Sequence, residues 1–556
     1  MSKKILVTCA LPYSNGKLHV GHIAGCYLPA DIFVRYQRLN KRDVMFVSGS
    51  DDHGVPIKLT ADKEGKTPKE VATYFYHQQK ESFKKLGINF DVYGSTCNSN
   101  YHTKTSQDFF KTLFDKGFFE KKSSKQFFDD VANMFLPDRY VKGTCGYCGA
   151  KDQNSDQCEE CGKELDVEHL KDAYSIINKS PASVKDTFHW YLDLTKFEET
   201  VSQWLNIADT REHTKKFVRG LVSQGLVKRS MTRDIDWGIP VPLDDPDAKN
   251  KVLYVWFDAP IGYISNTKEI CQDKFGNFEE YSKWWKDKNT DIYHFIGEDN
   301  TVFHCVIWIA MLKAEGSFNL PKGVIVNNYL NIKFPGKEIE KISKSRGSAV
   351  WIQDYLEDGG NPDSLRYYLT TVAPEKSRSV FIVEDLIQKH NSELGNALGN
   401  FVNRVLSFYK KYYGEKIEYT TKELNSIDKD FENSRLEIIN KVGKLIEEYS
   451  FKQAQDSLFD FIRSCNKYID EKQPWTSRKT DEAETKNTLI QCFNAMFTIG
   501  ILLNPFLPFS AKKILSQLGI SEQIQNSLTW QCAKEKLENG HNLGNPEILF
   551  AKIEDK

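Results

Sequence analysis

Short apolar runs alternate with helix-spaced apolar positions over residues 1–117. Ile5-Leu6-Val7-Thr8 and Val44 to Ser48 are brief apolar runs, which suit strands buried on both faces of a parallel sheet. Between them, Ile23 to Leu39 carries apolar residues at helical spacing. Residues 118–234 interrupt this βαβ pattern with turn signals and a cysteine cluster. The pattern then resumes. Leu253-Tyr254-Val255-Trp256-Phe257, Tyr293 to Gly297 and Val324 to Val326 are predicted strands. Past about 385 strand signals vanish, and Leu394–Tyr413, Leu436–Tyr449, Ala454–Tyr468 and Thr488–Leu503 read as helices of a bundle. The order predicts an α/β parallel sheet in two halves, 1–117 and 235–330, split by an insertion at 118–234. A loop region at 331–385 and an α-helical domain at 386–556 follow.

Chemistry clusters at a few points on this frame. Leu11-Pro12-Tyr13-Ser14-Asn15-Gly16-Lys17-Leu18-His19-Val20-Gly21-His22 joins the first strand to the first helix. A helix start offers free N–H groups and a positive dipole end to phosphate, and Gly21 lets a flat ligand approach the backbone. His19 and His22, three apart, share one side of the helix. Lys341-Ile342-Ser343-Lys344-Ser345, with Arg346 and Gly347 after it, forms a basic, glycine-flanked loop. Such a loop can close over a triphosphate and neutralise a leaving pyrophosphate; a solvated charge run is the plainer alternative. Cys145, Cys148, Cys158 and Cys161 make two CxxC knuckles with nine residues between them, a spacing that brings four thiolates around one tetrahedral Zn²⁺. That set leaves no open coordination position, so the ion is expected to be structural. Gly49-Ser50-Asp51-Asp52-His53-Gly54 places carboxylates at a strand end, where they cap turns or bind a cation.

Composition narrows the classes. The chain has 556 residues and a formal net charge of −1, which argues against indiscriminate nucleic-acid coating but permits a structured RNA on local basic patches. No apolar run approaches the ~18 residues of a membrane helix, and no export signal precedes the first strand. A cytoplasmic protein with buried free thiols is expected.

The two motifs around His19 and Lys341 together resemble the HIGH and KMSKS signatures of class I aminoacyl-tRNA synthetases. Val20 replaces Ile and Ile342 replaces Met, both apolar exchanges. The cysteine knuckles, together with the aromatics Tyr13, Trp256, Tyr263, Phe303 and Trp308, narrow the resemblance to the methionyl-tRNA synthetase family, from Ile5 to about Trp475. Aromatics at such spacing are more often core, but their physics suits a thioether.

The resemblance implies a Rossmann-like catalytic domain, a zinc-knuckle insertion and a helical anticodon-binding domain. It implies ATP contacts from His19, Gly21, His22, Lys341, Ser343 and Lys344, with Arg233 also in the active site. Ala10, Leu11, Tyr13, Trp256, Ala259, Pro260, Tyr263, Phe303, His304 and Trp308 would hold methionine, with Asp51 on its α-amino group and His53 close by. Asn400, Arg404 and Trp475 would read the anticodon. Expected partners are ATP with Mg²⁺, methionine, and tRNA(Met), both initiator and elongator. A monomer is expected, because some members dimerise through a further C-terminal domain. The rivals are another class I synthetase and a catalytically inactive tRNA-binding relative. The insertion is too short for the editing domain of the leucyl, isoleucyl and valyl enzymes, and four cysteines fit poorly the pocket zinc of the cysteinyl enzyme.

Overall fold

The computed structural model describes residues 3–137, 140–155, 158, 160–161, 163, 165–342 and 349–554. Five strands form its central sheet: β1 (Lys4–Cys9), β2 (Asp43–Ser50), β3 (Val92–Ser95), β4 (Thr290–Gly297) and β5 (Gly323–Asn327). They lie in the order β5-β4-β1-β2-β3, all parallel. This is a doubly wound arrangement whose ligand crevice lies beyond the carboxyl ends of the strands, where the order reverses at β1 and β4. Val7 pairs with Phe46 on one side and Tyr293 on the other, so β1 is buried on both faces as its apolar run predicts.

The helix after β1 is built in three parts: Val20–His22, a π-helical turn at Ile23–Tyr27, and Leu28–Leu39. A second π-helical turn, Phe303–Ile307, opens the helix after β4. Both extra-residue turns stand at the carboxyl edge of the sheet, the position such bulges favour.

The insertion contains a long antiparallel pair, Phe119–Asp129 with Ser183–Asp193, and a small three-stranded sheet of Val141–Cys145, Gln153–Asn154 and Leu170–Ser175. Within the same stretch, helices Glu198–Ile207 and Glu212–Ser223 pack on the main body. Trp204 donates its indole N–H to Pro321 O at 2.7 Å, and Asp209 pairs with Gly323 of β5.

One predicted strand is corrected. Only Val252–Leu253 pairs, with Thr232–Arg233, and Val255–Asp258 is a helical turn. The aromatic and β-branched residues favour a strand locally. The fold instead buries Phe257 and Val255 as a helical corner and turns Trp256 toward the crevice.

The C-terminal part holds Asn400–Tyr413, Ser426–Glu447, Phe451–Lys472 and Glu482–Leu503. The last is apolar and buried on nearly every side, as the centre of a bundle must be. The two parts meet at Arg366, fully buried, which donates to Asp31 Oδ2 at 2.7 Å and to the carbonyls of Phe506 at 2.7 Å and Pro505 at 2.8 Å. Asp31 belongs to the helix that follows β1. Among the described residues no helix is long and apolar enough to cross a membrane.

Candidate active site

The turn between β1 and the first helix is held from two directions. Tyr13 and Asp51 pair across the ends of β1 and β2, with Asp51 N–H on Pro12 O at 2.9 Å and Ser14 N–H on Asp51 O at 3.0 Å. His19 stands at the N-cap, its backbone N–H donating to His22 Nδ1 at 3.1 Å. The two imidazoles stack with centroids 3.6 Å apart. His19 then pairs with Trp351: Val20 N–H bonds Val350 O at 3.1 Å, and Ile352 N–H bonds Leu18 O at 3.0 Å. The segment that closes the lysine loop is therefore stitched directly to the histidine turn. Gly21 is required by the same contact. A Cβ there would lie 3.0 Å from His19 Nδ1 and 3.1 Å from Ile342 Cδ1.

A cavity of about 330 Å³ opens at this place. His19, Gly21 and His22 form one side, with Lys341 and Ile342 across from them. Ala10, Leu11, Tyr13 and Trp256 form the other end. Lys341 is placed by a short pairing with Asn331, and its ammonium stands 4.6 Å from the centre of the Tyr329 ring. Ser343 and Lys344 lie outside the described residues. Arg233 lines an adjoining cavity of about 470 Å³ that shares Tyr13, His22 and Trp256 with the first. Its guanidinium stacks 3.8 Å above Tyr254 and donates to the carbonyls of Thr232 and Ser230.

The aromatic residues form a nested set. Trp256 stacks on Phe303 at 4.0 Å, nearly coplanar, and meets Tyr13 edge-on at 6.1 Å. Ala259 and Pro260 follow on the same corner, and a Cβ on Gly262 would meet Leu11 at 2.9 Å. Deeper in, His304 Nδ1 is 3.1 Å from Asn300 O, a pure acceptor, so Nδ1 carries the proton. His304 Nε2 therefore accepts from the Tyr263 hydroxyl at 2.8 Å. Behind this pair, the Trp308 indole N–H donates to His294 Nε2 at 3.2 Å, so His294 Nδ1 donates to Thr8 Oγ1 at 2.5 Å. Burial depresses both imidazoles, His304 to about 4, which keeps them neutral. Trp308 itself is fully buried, stacked against Phe109 and edge-on to Trp285. Of the residues expected to hold methionine, Ala10, Leu11, Tyr13 and Trp256 line the cavity, whereas Asp51, Ala259, Pro260, Tyr263, Phe303, His304 and Trp308 lie behind that lining.

Asp51 is buried below Tyr13. Its carboxyl is held well above the usual range by burial and by the neighbouring Asp258 and Asp52. Several lining residues were not singled out from sequence: Gly297, Asp299, Asn300 and Tyr329. The signal that could have found them is position, since Gly297 to Asn300 directly follow β4 at the carboxyl edge of a parallel sheet.

The four knuckle cysteines converge. Cys145 and Cys161 sulfurs are 3.9 Å apart, those of Cys148 and Cys158 3.6 Å, and all four lie within 4.8 Å of one another. Four sulfurs each ~2.3 Å from one ion would be about 3.8 Å apart. Bonded sulfurs would be at about 2.05 Å, so the donor set fits a tetrahedral metal and excludes a disulfide.

In the bundle, Arg404 and Trp475, distant in sequence, are brought together. The guanidinium is 5.2 Å from the indole centre and bonds Asp470 Oδ1 at 2.5 Å. Trp475 is 42% exposed, an open stacking face, and exposed Asn400 lies one turn before Arg404.

A family model described as tRNA synthetases class I (M) matches residues 5–406, and one for the anticodon binding domain of methionyl tRNA ligase matches 421–556. The chain is 44% identical over 558 residues to a methionine–tRNA ligase of Parabacteroides distasonis, covering all of this chain and 79% of that one. It is 42% identical over 570 residues to one from Pyrococcus furiosus, covering 99% and 76%. A Mycobacterium tuberculosis methionyl-tRNA synthetase solved with methionyl-adenylate has the same fold, with a TM-score of 0.80 at 24% identity and 99% of each chain covered. The chain belongs to the methionyl family of class I aminoacyl-tRNA synthetases.

Proposed function

We propose that this chain is a methionine–tRNA ligase that activates methionine with ATP and charges tRNA(Met), using the cavity between the histidine turn and the Trp256 corner for the first step. One observation carries the reading: His19, Gly21, His22 and Lys341 share a single cavity with Leu11, Tyr13 and Trp256, at the carboxyl ends of parallel strands. A phosphate site and an apolar aromatic site thus adjoin with space for reacting atoms between them.

The methionine carboxylate attacks the α-phosphate of ATP, forming methionyl-adenylate and releasing pyrophosphate. The 2′- or 3′-hydroxyl of the terminal adenosine then takes the methionyl group and AMP leaves. Neither step uses a protein nucleophile, so the protein contributes positioning and charge stabilisation. His19 and His22 contact the phosphates, and Lys341 with Lys344 neutralises the pyrophosphate, whose Mg²⁺ arrives with ATP. Arg233 serves from the adjoining cavity. Trp256, Tyr13, Phe303, Tyr263 and His304 enclose the thioether, and Asp51 receives the ammonium. Asn400, Arg404 and Trp475 stack on and bond the anticodon bases. Cys145, Cys148, Cys158 and Cys161 hold one structural zinc.

Methionine-dependent ATP–pyrophosphate exchange tests this. Lys341→Ala or Lys344→Ala is expected to lower the exchange kcat on the order of 100-fold, about 2.7 kcal/mol of transition-state stabilisation. Exchange near the wild-type rate in both variants would remove the loop from the mechanism. A signal with an amino acid other than methionine would remove the substrate assignment.

A further inference from the structure

Beside Asp51 lies a buried polar cluster that the reaction as described leaves unused. His53, His102 and Asp258 are all buried. His53 Nδ1 is 2.8 Å from Asp258 Oδ2, His102 Nε2 is 3.8 Å from the same oxygen, and His102 Nδ1 is 3.0 Å from Ser265 Oγ. The cluster ties together two segments of the proposed methionine site. His53 extends the strand end that carries Asp51, and its backbone lies close enough to favour the charged form of that carboxyl. Asp258 sits between Trp256 and Ala259 on the helical corner.

Charge is the unusual feature here. Three carboxylates, Asp51, Asp52 and Asp258, are buried within one another's field. Neutral donors hold Asp52, the Ser95 hydroxyl at 2.5 Å and Cys97 N–H at 3.1 Å. One oxygen of each of the three, Asp51, Asp52 and Asp258, accepts no hydrogen bond. The other titratable groups facing the cluster are Tyr93 and Cys97 from β3 and its end, and Tyr263 from the corner helix. Burial pushes all three up, so they stay neutral. Protonation of Asp51 relieves part of this charge, and among the described groups facing the cluster only the imidazoles can become cations. Burial lowers His102. Burial also opposes the charged form of His53, but Asp258 and Asp52 outweigh it and the net shift is upward.

We propose that His53, held by Asp258, carries the positive charge of the empty amino-group site and gives its proton to solvent as the methionine ammonium takes its place at Asp51. The inference rests on the assignment of Asp51 to that ammonium. The exchange conserves site charge: one imidazolium proton leaves for the buffer and one ammonium enters. His53 is a positioning residue, since it acts on the substrate through Asp51 and Asp258.

Calorimetric titration of L-methionine into the full chain, in phosphate and in Tris at matched pH, counts the protons released. Wild type is expected to release close to one proton per methionine below the His53 titration, with Kd tightening up to about tenfold per pH unit over that range. His53→Gln is expected to release none and to bind with a flat pH profile. Asp258→Glu, which keeps the charge, is expected to retain part of the release. No release from wild type, which requires no variant to fold, overturns the proposal. Undiminished release from His53→Gln does so too, because the proton then comes from Asp51 or His102. Elemental analysis of a Cys145→Ser/Cys148→Ser variant supplies a further arm: a bound metal remaining there would make His53, His102 and Asp258 its ligands and overturn the proton exchange. Asp51→Asn separates the two readings. Wild-type methionine affinity in that variant removes the Asp51 assignment, whereas lost affinity together with undiminished release from His53→Gln removes the role of His53 alone.

Discussion

Tyr263 and His304 illustrate how one residue fixes the protonation and hydrogen bonding of the next. Asn300 O fixes the His304 tautomer, and that tautomer fixes the direction of the Tyr263 hydroxyl bond. The same burial writes a pH dependence into stability. In the unfolded chain His304 gains a proton below its ordinary value of about 6.5; in the fold it does so only below about 4. Between these values the unfolded chain binds more protons. The stability from this group is complete above the upper value and falls as pH drops, by about 1.4 kcal/mol per unit. His304→Gln is expected to flatten the decline in urea midpoint between pH 6 and 4.5, and an unchanged slope would place the proton uptake elsewhere. Residue identity alone could not reveal this, because Tyr263, His304, His294 and Thr8 come from three distant segments.

At the scale of elements, the histidine turn depends on close approach. Gly21→Ala places a methyl group 3.1 Å from Ile342 Cδ1 and 3.0 Å from His19 Nδ1, and one of them must move. The exchange kcat is expected to fall at least tenfold with the far-ultraviolet dichroism unchanged, since the helix beyond loses nothing and Ala favours it. A wild-type rate would show that the loop does not close over this glycine. The elements also show what a sequence reveals. Four of the five parallel strands and the cysteine knuckles were legible because their signals are local: a continuous apolar run, or four ligands at fixed spacing; the short edge strand Val92–Ser95, with a glycine and a serine, carries no such run. The helical corner at Val255–Asp258 was not, because its composition favours a strand and only packing of Phe257 against Phe110 and Phe109 decides otherwise. The π-helical turns at Ile23–Tyr27 and Phe303–Ile307 were illegible for another reason. A single inserted residue hardly disturbs helical periodicity, yet it sets which side chains face the cavity.

Across the whole molecule, the catalytic cavity and the Arg404–Trp475 surface lie on different parts of the chain. They are therefore expected to fail separately. Trp475→Ala should lower kcat/KM for tRNA charging by about 10- to 100-fold, the worth of one stacked base, and leave methionine-dependent exchange intact. Charging at the wild-type rate would remove Trp475 from tRNA recognition. The residues proposed to read the anticodon were the hardest to read from sequence, since Arg404 and Trp475 lie far apart in the chain and only folding brings them into contact.

Arg366 has the widest reach. Arg366→Met is expected to destabilise the protein by about 3–5 kcal/mol in urea unfolding, because the buried Pro505 and Phe506 carbonyls would lose their donor and Asp31 would keep only Arg35 as a partner; a loss under 1 kcal/mol would mean that water enters there. The guanidinium joins the helix after β1 to the Pro505–Phe506 turn, and one apolar core runs from Ile5 to Phe550 without a break. The boundary between the two matched family models is thus a line of descent rather than a seam. Expressed alone, residues 1–406 would keep the Asp31–Arg366 pair but leave the buried guanidinium without its Pro505 and Phe506 acceptors and present a bare apolar face to water. In this chain the two matched stretches share one core and one buried polar contact, and are expected to fold together.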